Sequence, residues 1–242
     1  MSKSSTPLIF VHGAWHGAWC WQKIVTPLKQ LGFNVLAPDL PGHGQHICTP
    51  SLITMQDYIS SLITLIQAQN EPVTLIGHSM GGIIISSVAE SIPNHIHTLI
   101  YLTAFIPEHG ESLLSMASQF SSHALLPFLT IDQEKSEIRI DSSERLFPIF
   151  FNCCEEQDAR WAKSQLHSQP LKPLRKKIHL KNHFNRIPKK AILCREDHII
   201  PLHDQRKMAK RITDDIIEIN SDHAAYCSAR EELVHYFFHT KE

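Results

Sequence analysis

Apolar residues along the chain fall into short unbroken runs separated by stretches of helical periodicity, and that alternation dictates the fold. Pro7-Leu-Ile-Phe-Val-His12 is apolar without alternation, as in a strand buried on both faces. After a loop over 13–19, Trp21, Val25, Leu28 and Leu31 recur at helical spacing and predict a helix over 18–31 that ends at Gly32. Pro27 lies inside it and is expected to kink it. Phe33 to Ala37 reads as a second strand, closed by the turn-rich loop 38–44. Thr54 and Asp57 resemble a capping box, and Met55, Tyr58, Ile59, Leu62, Ile63 and Ile66 form an apolar stripe behind it. Val73 to Ile76 is a strand, Ile83 to Ala89 a helix stopped by Pro93, and a further strand lies at about 96–104.

The same rhythm resumes late in the chain. Lys189 to Cys194 and Asp215 to Ile219 read as strands, Pro201 to Ile212 and 229–239 as helices, the last presenting Leu233, Val234, Phe237 and Phe238 to the sheet. Six strands linked through helices by short connections predict an α/β fold. Its sheet should be mostly parallel, flanked by helices and wound by right-handed crossovers. Between these halves the pattern breaks. Prolines 107, 127, 148, 170 and 173 interrupt 107–187, leaving short helices at Ser112–Phe120 and Cys154–His167 and an extended piece near Ile138–Ile140. That segment carries too many large apolar residues for a solvated tether and too little periodicity for a core of its own. It is expected to be a mostly helical cap (lid) over a core formed by 1–106 and 188–242.

Composition narrows the function classes. A net charge of −1, with the densest basic run (172–177) free of aromatics, argues against a nucleic-acid partner. No apolar run approaches a membrane span, and the four residues Leu8 to Val11 are short for the apolar region of a signal peptide. Six cysteines without Cys-x-x-Cys spacing fit reduced thiols in a cytoplasmic protein. Among the 17 histidines, His12/His16 and His179/His183 are four apart, but neither pair lies in an H-E-x-x-H motif, and no metal is expected.

The chemistry centres on Gly77-His78-Ser79-Met80-Gly81, which follows a strand and opens a helix, the context in which G-x-S-x-G forms a nucleophile elbow. A serine hydroxyl needs a base, and the base needs a carboxylate that fixes its tautomer. In an open parallel sheet the ligand lies beyond the carboxyl ends of the strands, where Asp197 and His223 also fall. The chain order Ser79, Asp197, His223 is the order expected for this architecture. Glu196 and Asp222 compete for the acid's place; Asp197 is preferred because it heads Asp-x-x-x-Pro at the end of its strand. An oxyanion hole needs two backbone amides, and Met80 and Ala14 are the candidates, with Gly13 allowing close approach. Trp15, Phe105 and cap residues Phe120, Phe128 and Phe147, with Leu113, Leu126 and Phe150 nearby in sequence, are candidate walls of an apolar acyl pocket. His16 and His78 are candidates to hydrogen-bond a polar substituent.

These residues sit within FVHGAWHGAWCW (10–21), VLAPDLPGHG (35–44), LIGHSMGG (75–82), YLTAFIPEHGESL (101–113), CREDHIIP (194–201) and SDHAAYC (221–227). Together they resemble the α/β-hydrolase superfamily, in particular the branch of plant salicylate and jasmonate methyl esterases, hydroxynitrile lyases and bacterial esterase relatives. The resemblance implies Ser79 as nucleophile, Asp197 as acid, His223 as base and the Ala14 and Met80 amides as oxyanion donors. The lyases resemble HTxC where this chain reads His12-Gly13-Ala14-Trp15, and carry a lysine where Ala224 stands. Without that ammonium the departing cyanide lacks a charge stabiliser. A serine carboxylesterase for small, methyl esters among them, is therefore expected. Alternatives are a small-ligand sensor of the same fold with slow hydrolysis, a hydroxynitrile lyase or a thioesterase. The expectation includes no cofactor, no membrane partner, and a monomer or homodimer.

Overall fold

The two faces of the first strand already divide the core. In the computed structural model, which describes residues 6–46, 48–141 and 143–239, β1 (Leu8–Val11) sends Leu8 and Phe10 into one apolar cluster and Ile9 and Val11 into another. An unbroken apolar run is what a strand covered on both faces requires. The first cluster gathers Trp21, Ile24 and Leu28 around α1 (Gln22–Gln30) together with Leu233 and Phe237 of α11 (Arg230–His239). On the other face, α2 (Met55–Gln67) and α3 (Gly81–Ser91) supply Tyr58, Leu62, Ile84 and Val88. Phe10 and Phe237 are fully buried with their rings 5.1 Å apart, and each such side chain stabilises the fold by about 1.5–3 kcal/mol.

Six parallel strands form one sheet, as expected. The remaining strands are β2 (Val35–Leu36), β3 (Val73–Ser79), β4 (Ile96–Ala104), β8 (Lys189–Cys194) and β9 (Ile216–Ile219), in the order β2-β1-β3-β4-β8-β9. From β1 the chain goes outward to β2 and then returns to the opposite side of β1 as β3. The carboxyl ends of β1 and β3, paired Val11 to Gly77, therefore flank a topological switch point, the place where open α/β sheets bind ligands. The capping box at Thr54 is present, with the Asp57 carboxylate accepting from the Thr54 amide at 2.8 Å. The first helix differs from its expected 18–31. It opens as a 3-10 turn over Ala18–Trp21, and α1 then continues through Pro27 to Gln30.

Between β4 and β8 lie the short helices α4 (Leu113–Ala117), α5 (Phe147–Phe150), α6 (Glu156–Ser164), α7 (Leu171–Arg175) and α8 (Asn182–Arg186). They are accompanied by a three-stranded antiparallel sheet, β5 (Leu129–Asp132), β6 (Glu137–Ile140) and β7 (Gln169–Pro170), of which the sequence pattern reveals only the extended piece at β6. Strands of two to four residues are too short to display an alternation. α9 (Leu202–Ala209) and α10 (Ala225–Ser228) complete the chain. Among the described residues no helix is long and apolar enough to cross a membrane.

Candidate active site

Ser79 ends β3 at φ 52°, in the left-handed region that a non-glycine residue enters only when its surroundings enforce it. The neighbouring glycines make that turn feasible. A Cβ on Gly77 would lie 2.8 Å from the Gly81 backbone, and one on Gly81 would lie 2.6 Å from the Val11 carbonyl oxygen. Any side chain there would push strand and helix apart. The turn leaves Ser79 buried but facing a cavity, with Met80 directly after it at the start of α3.

His223 reaches Ser79 from the loop after β9. Its Nε2 lies 3.0 Å from Ser79 Oγ and its Nδ1 2.7 Å from Asp197 Oδ2. A carboxylate only accepts, so Nδ1 carries the proton and Nε2 is left free to take one from the serine. Asp197, after β8, is itself held on every side. Oδ1 accepts from the Ile199 and Ile200 amides at 2.6 and 2.9 Å, and Oδ2 also accepts from the Thr103 hydroxyl. The three side chains are buried, so their hydrogen bonds act in a medium that strengthens them.

Of the competing acids, Glu196 is exposed. Asp222 is buried but faces elsewhere: its carboxylate accepts from the Cys153 and Ala224 amides at 2.6 and 3.1 Å and from the Ser228 hydroxyl at 2.6 Å. Burial raises its pKa. It ties the segment around Cys153 to the His223 loop and makes no contact with the imidazole among the hydrogen bonds described.

Three further histidines act as backbone straps around this chain of side chains. His16 Nδ1 donates to the Ala14 carbonyl at 2.6 Å while its Nε2 accepts from the Tyr226 hydroxyl at 2.7 Å. His78 Nε2 donates to the His223 carbonyl at 2.8 Å. His12 Nδ1 donates to the Gly13 carbonyl at 2.8 Å, and its Nε2 accepts from the Leu40 amide at 3.1 Å. Burial drives all three pKa values down, that of His16 to about 3, so they stay neutral and each keeps one donor and one acceptor. His16 and His78, expected to hydrogen-bond a substituent of the substrate, are not among the described residues that line the cavity above Ser79. His16 spends its two ring nitrogens on the Ala14 carbonyl and the Tyr226 hydroxyl, and His78 spends Nε2 on the His223 carbonyl.

The cavity above Ser79 has a volume of about 300 Å³. Ala14, Trp15 and Phe105 line it from the core side, and Leu113, Leu114, Ala117, Phe120, Leu125, Leu126, Leu129, Ile138 and Leu174 from the inserted segment, with Ile199 beside Asp197. Phe105 and Phe120 stack with ring centroids 5.3 Å apart. Among the described residues, the polar lining is Ser79, Ser118, Ser122 and His123. Gly13 lies beneath rather than along the wall, since a Cβ there would meet Ser79 Cβ at 2.9 Å. Phe128 and Phe147 stand apart from the cavity. Phe128 packs into the cluster on the α1/α11 face, and Phe147 sits among Phe151, Arg160 and Lys163. Phe150, fully buried, covers the His223 ring edge-on at 5.0 Å. Thr103, Tyr226 and Gln169 went unrecognised in the sequence because a lone Thr, Tyr or Gln carries no motif.

Residues 8–235 match the profile of the alpha/beta hydrolase family. A carbendazim hydrolyzing esterase from a Nocardioides species is 40% identical over 111 residues, 45% of this chain and 46% of that protein. The putative chloroplastic methylesterase 13 of Arabidopsis thaliana is 29% identical over 238 residues, 93% of this chain and 54% of its own length. The chain thus spans about half the length of these two curated relatives. The crystal structure of a pyrethroid hydrolase from Sphingobium faniae superposes with a TM-score of 0.87 at 25% identity, covering 98% of this chain and 97% of that one.

Proposed function

The chain belongs to the alpha/beta hydrolase family, and on that footing we propose that it is a serine carboxylesterase acting on small esters, methyl esters among them. One observation carries the reading: Ser79 Oγ, His223 and Asp197 form a continuous hydrogen-bonded chain whose serine end opens into a cavity. Ser79 attacks the ester carbonyl as His223 Nε2 takes the hydroxyl proton, and Asp197 stabilises the resulting imidazolium. The Ala14 and Met80 amides donate to the oxyanion. The imidazolium then passes its proton to the departing alkoxide oxygen, releasing the alcohol and leaving an acyl-serine. Water, deprotonated by His223, attacks that acyl group, and the acid leaves as Ser79 regains its proton.

The cavity's composition supports a neutral, largely apolar acyl group, for no Lys or Arg is among its described lining residues. The same feature disfavours cyanohydrin cleavage, since no Lys or Arg among those described residues stands ready for cyanide. Names of the relatives, among them esterases and a pyrethroid hydrolase, agree with ester hydrolysis. In this reading 107–187 is the cap that closes the acyl site, and the six free cysteines fit a reducing cytoplasm. Turnover of p-nitrophenyl acetate tests the proposal. Ser79→Ala should lower kcat by about 10⁵–10⁶-fold in a folded protein; activity near that of the wild type would overturn the mechanism.

A further inference from the structure

Resting on the esterase reading, a second question is what aims the Ala14 amide. The peptide that joins Ala14 to Trp15 is clamped at both of its edges. Its carbonyl accepts from His16, and the following Trp15 amide donates to Gln169 Oε1 at 3.3 Å. Trp15 stands at φ 63°, a conformation that a bulky residue keeps only under external constraint. The constraint comes from the inserted segment, not from the central sheet. Trp15 Nε1 donates to the Ile138 carbonyl at 3.0 Å, and the Trp15 carbonyl accepts from the His167 amide at 3.0 Å. Ile138 and Gln169 are themselves paired across β6 and β7.

Gln169 is fully buried and its amide is oriented by its neighbours. Nε2 donates to the Pro170 carbonyl at 3.0 Å and to the Tyr58 hydroxyl at 3.1 Å. A carbonyl can only accept and an amide N–H can only donate, so Oε1 must face Trp15. The same oxygen lies 2.9 Å from His43 Nε2. One side chain of the inserted segment thus bridges α2, the His43 loop and the peptide beside Ala14.

We propose that Gln169 is a positioning residue for ester hydrolysis, holding the Trp15 peptide so that the Ala14 N–H stays aimed at the carbonyl oxygen. The oxyanion loop is then seated by the segment that covers the substrate, rather than by the sheet alone.

The test compares the wild-type chain with Ser79→Ala, Gln169→Met, Gln169→Glu and Tyr58→Phe. Turnover of p-nitrophenyl acetate is expressed per active site titrated with a p-nitrophenyl phosphonate. Met fills the slot without an acceptor of comparable strength, so kcat should fall about 10- to 100-fold with KM held within about threefold, as for a weakened oxyanion donor. Phosphonylation should slow in parallel, because charge develops on the same oxygen. Glu keeps an oxygen toward Trp15 and, as the neutral acid in this buried slot, a hydroxyl that donates to the Pro170 carbonyl, and should return kcat to within about fivefold of wild type. If Gln169→Met does not fold, Tyr58→Phe, which removes an acceptor for Gln169 Nε2, should still lower kcat about threefold. A Gln169→Met enzyme with wild-type kcat overturns the proposal, as does a loss that Glu does not restore or, with Met unfolded, a Tyr58→Phe enzyme of wild-type kcat. Near wild-type turnover by Ser79→Ala would instead overturn the esterase reading itself.

Discussion

Replacing Asp197 with Asn probes whether this carboxylate sets the proton inventory of the site. The substitution changes one oxygen to an NH₂ group and leaves the volume almost unchanged. Ile199 and Ile200 amides, at 2.6 and 2.9 Å from Oδ1, can only donate, so the new amide must turn its oxygen toward them. Its NH₂ then occupies the Oδ2 position, 2.7 Å from His223 Nδ1. That nitrogen becomes an acceptor, the imidazole proton moves to Nε2, and Nε2 faces Ser79 Oγ at 3.0 Å as a donor rather than as a base. A wrong tautomer in this geometry lowers kcat by about 10⁴-fold, or about 5.5 kcal/mol of transition-state free energy. The assay is steady-state hydrolysis of p-nitrophenyl acetate with circular dichroism to verify the fold. A folded Asp197→Asn enzyme within about tenfold of wild type would refute the reasoning and move the acid's role to another carboxylate.

Two further predictions concern the residues beneath the site. His12, His16, His43 and His78 have pKa values pushed down by burial, whereas an unfolded chain protonates histidine near pH 6.5, so the unfolded state binds more protons as pH falls below that value. His12, His16 and His78 should therefore each cost up to about 1.4 kcal/mol of stability per pH unit below about 6.5, continuing for His16 to about pH 3, with His43 acting in the same direction. Urea unfolding at about pH 7.5 and about pH 5 reads this, and equal free energies at the two would contradict it. For Gly13→Ala, the new Cβ meets Ser79 Cβ at 2.9 Å and His78 Nδ1 at 3.0 Å. Stability should drop by about 1–3 kcal/mol and kcat by about tenfold or more, measured by thermal melts and turnover; wild-type values in both would show that the loop yields freely.

The parts of this protein legible in the sequence are those repeated along the chain or carried by short motifs. Unbroken runs such as Leu8–Val11 identify the strands of the six-stranded sheet, since a strand covered on both faces has no polar side to display. Gly77 and Gly81 announce the tight turn at Ser79 because other residues collide there. The inserted segment is less legible. Its strands are two to four residues long, and its cavity walls depend on which way each ring points. Phe120 faces the cavity while Phe128 and Phe147 turn into other packing, although all three look alike in sequence.

Histidine makes the same distinction within the site. His16, His78 and His223 are equally polar as letters, yet only His223 places a ring nitrogen on Ser79. Periodicity and the elbow motif determined the α/β layering, the strand ends and the neighbourhood of Ser79, because these rest on local backbone and burial preferences. Tertiary structure alone decided that Thr103 and two amides hold Asp197, that buried histidines strap the loops, and that Gln169 reaches Trp15 across 154 residues. Such contacts rest on the direction of single side chains converging from distant elements, a property with no period along the chain.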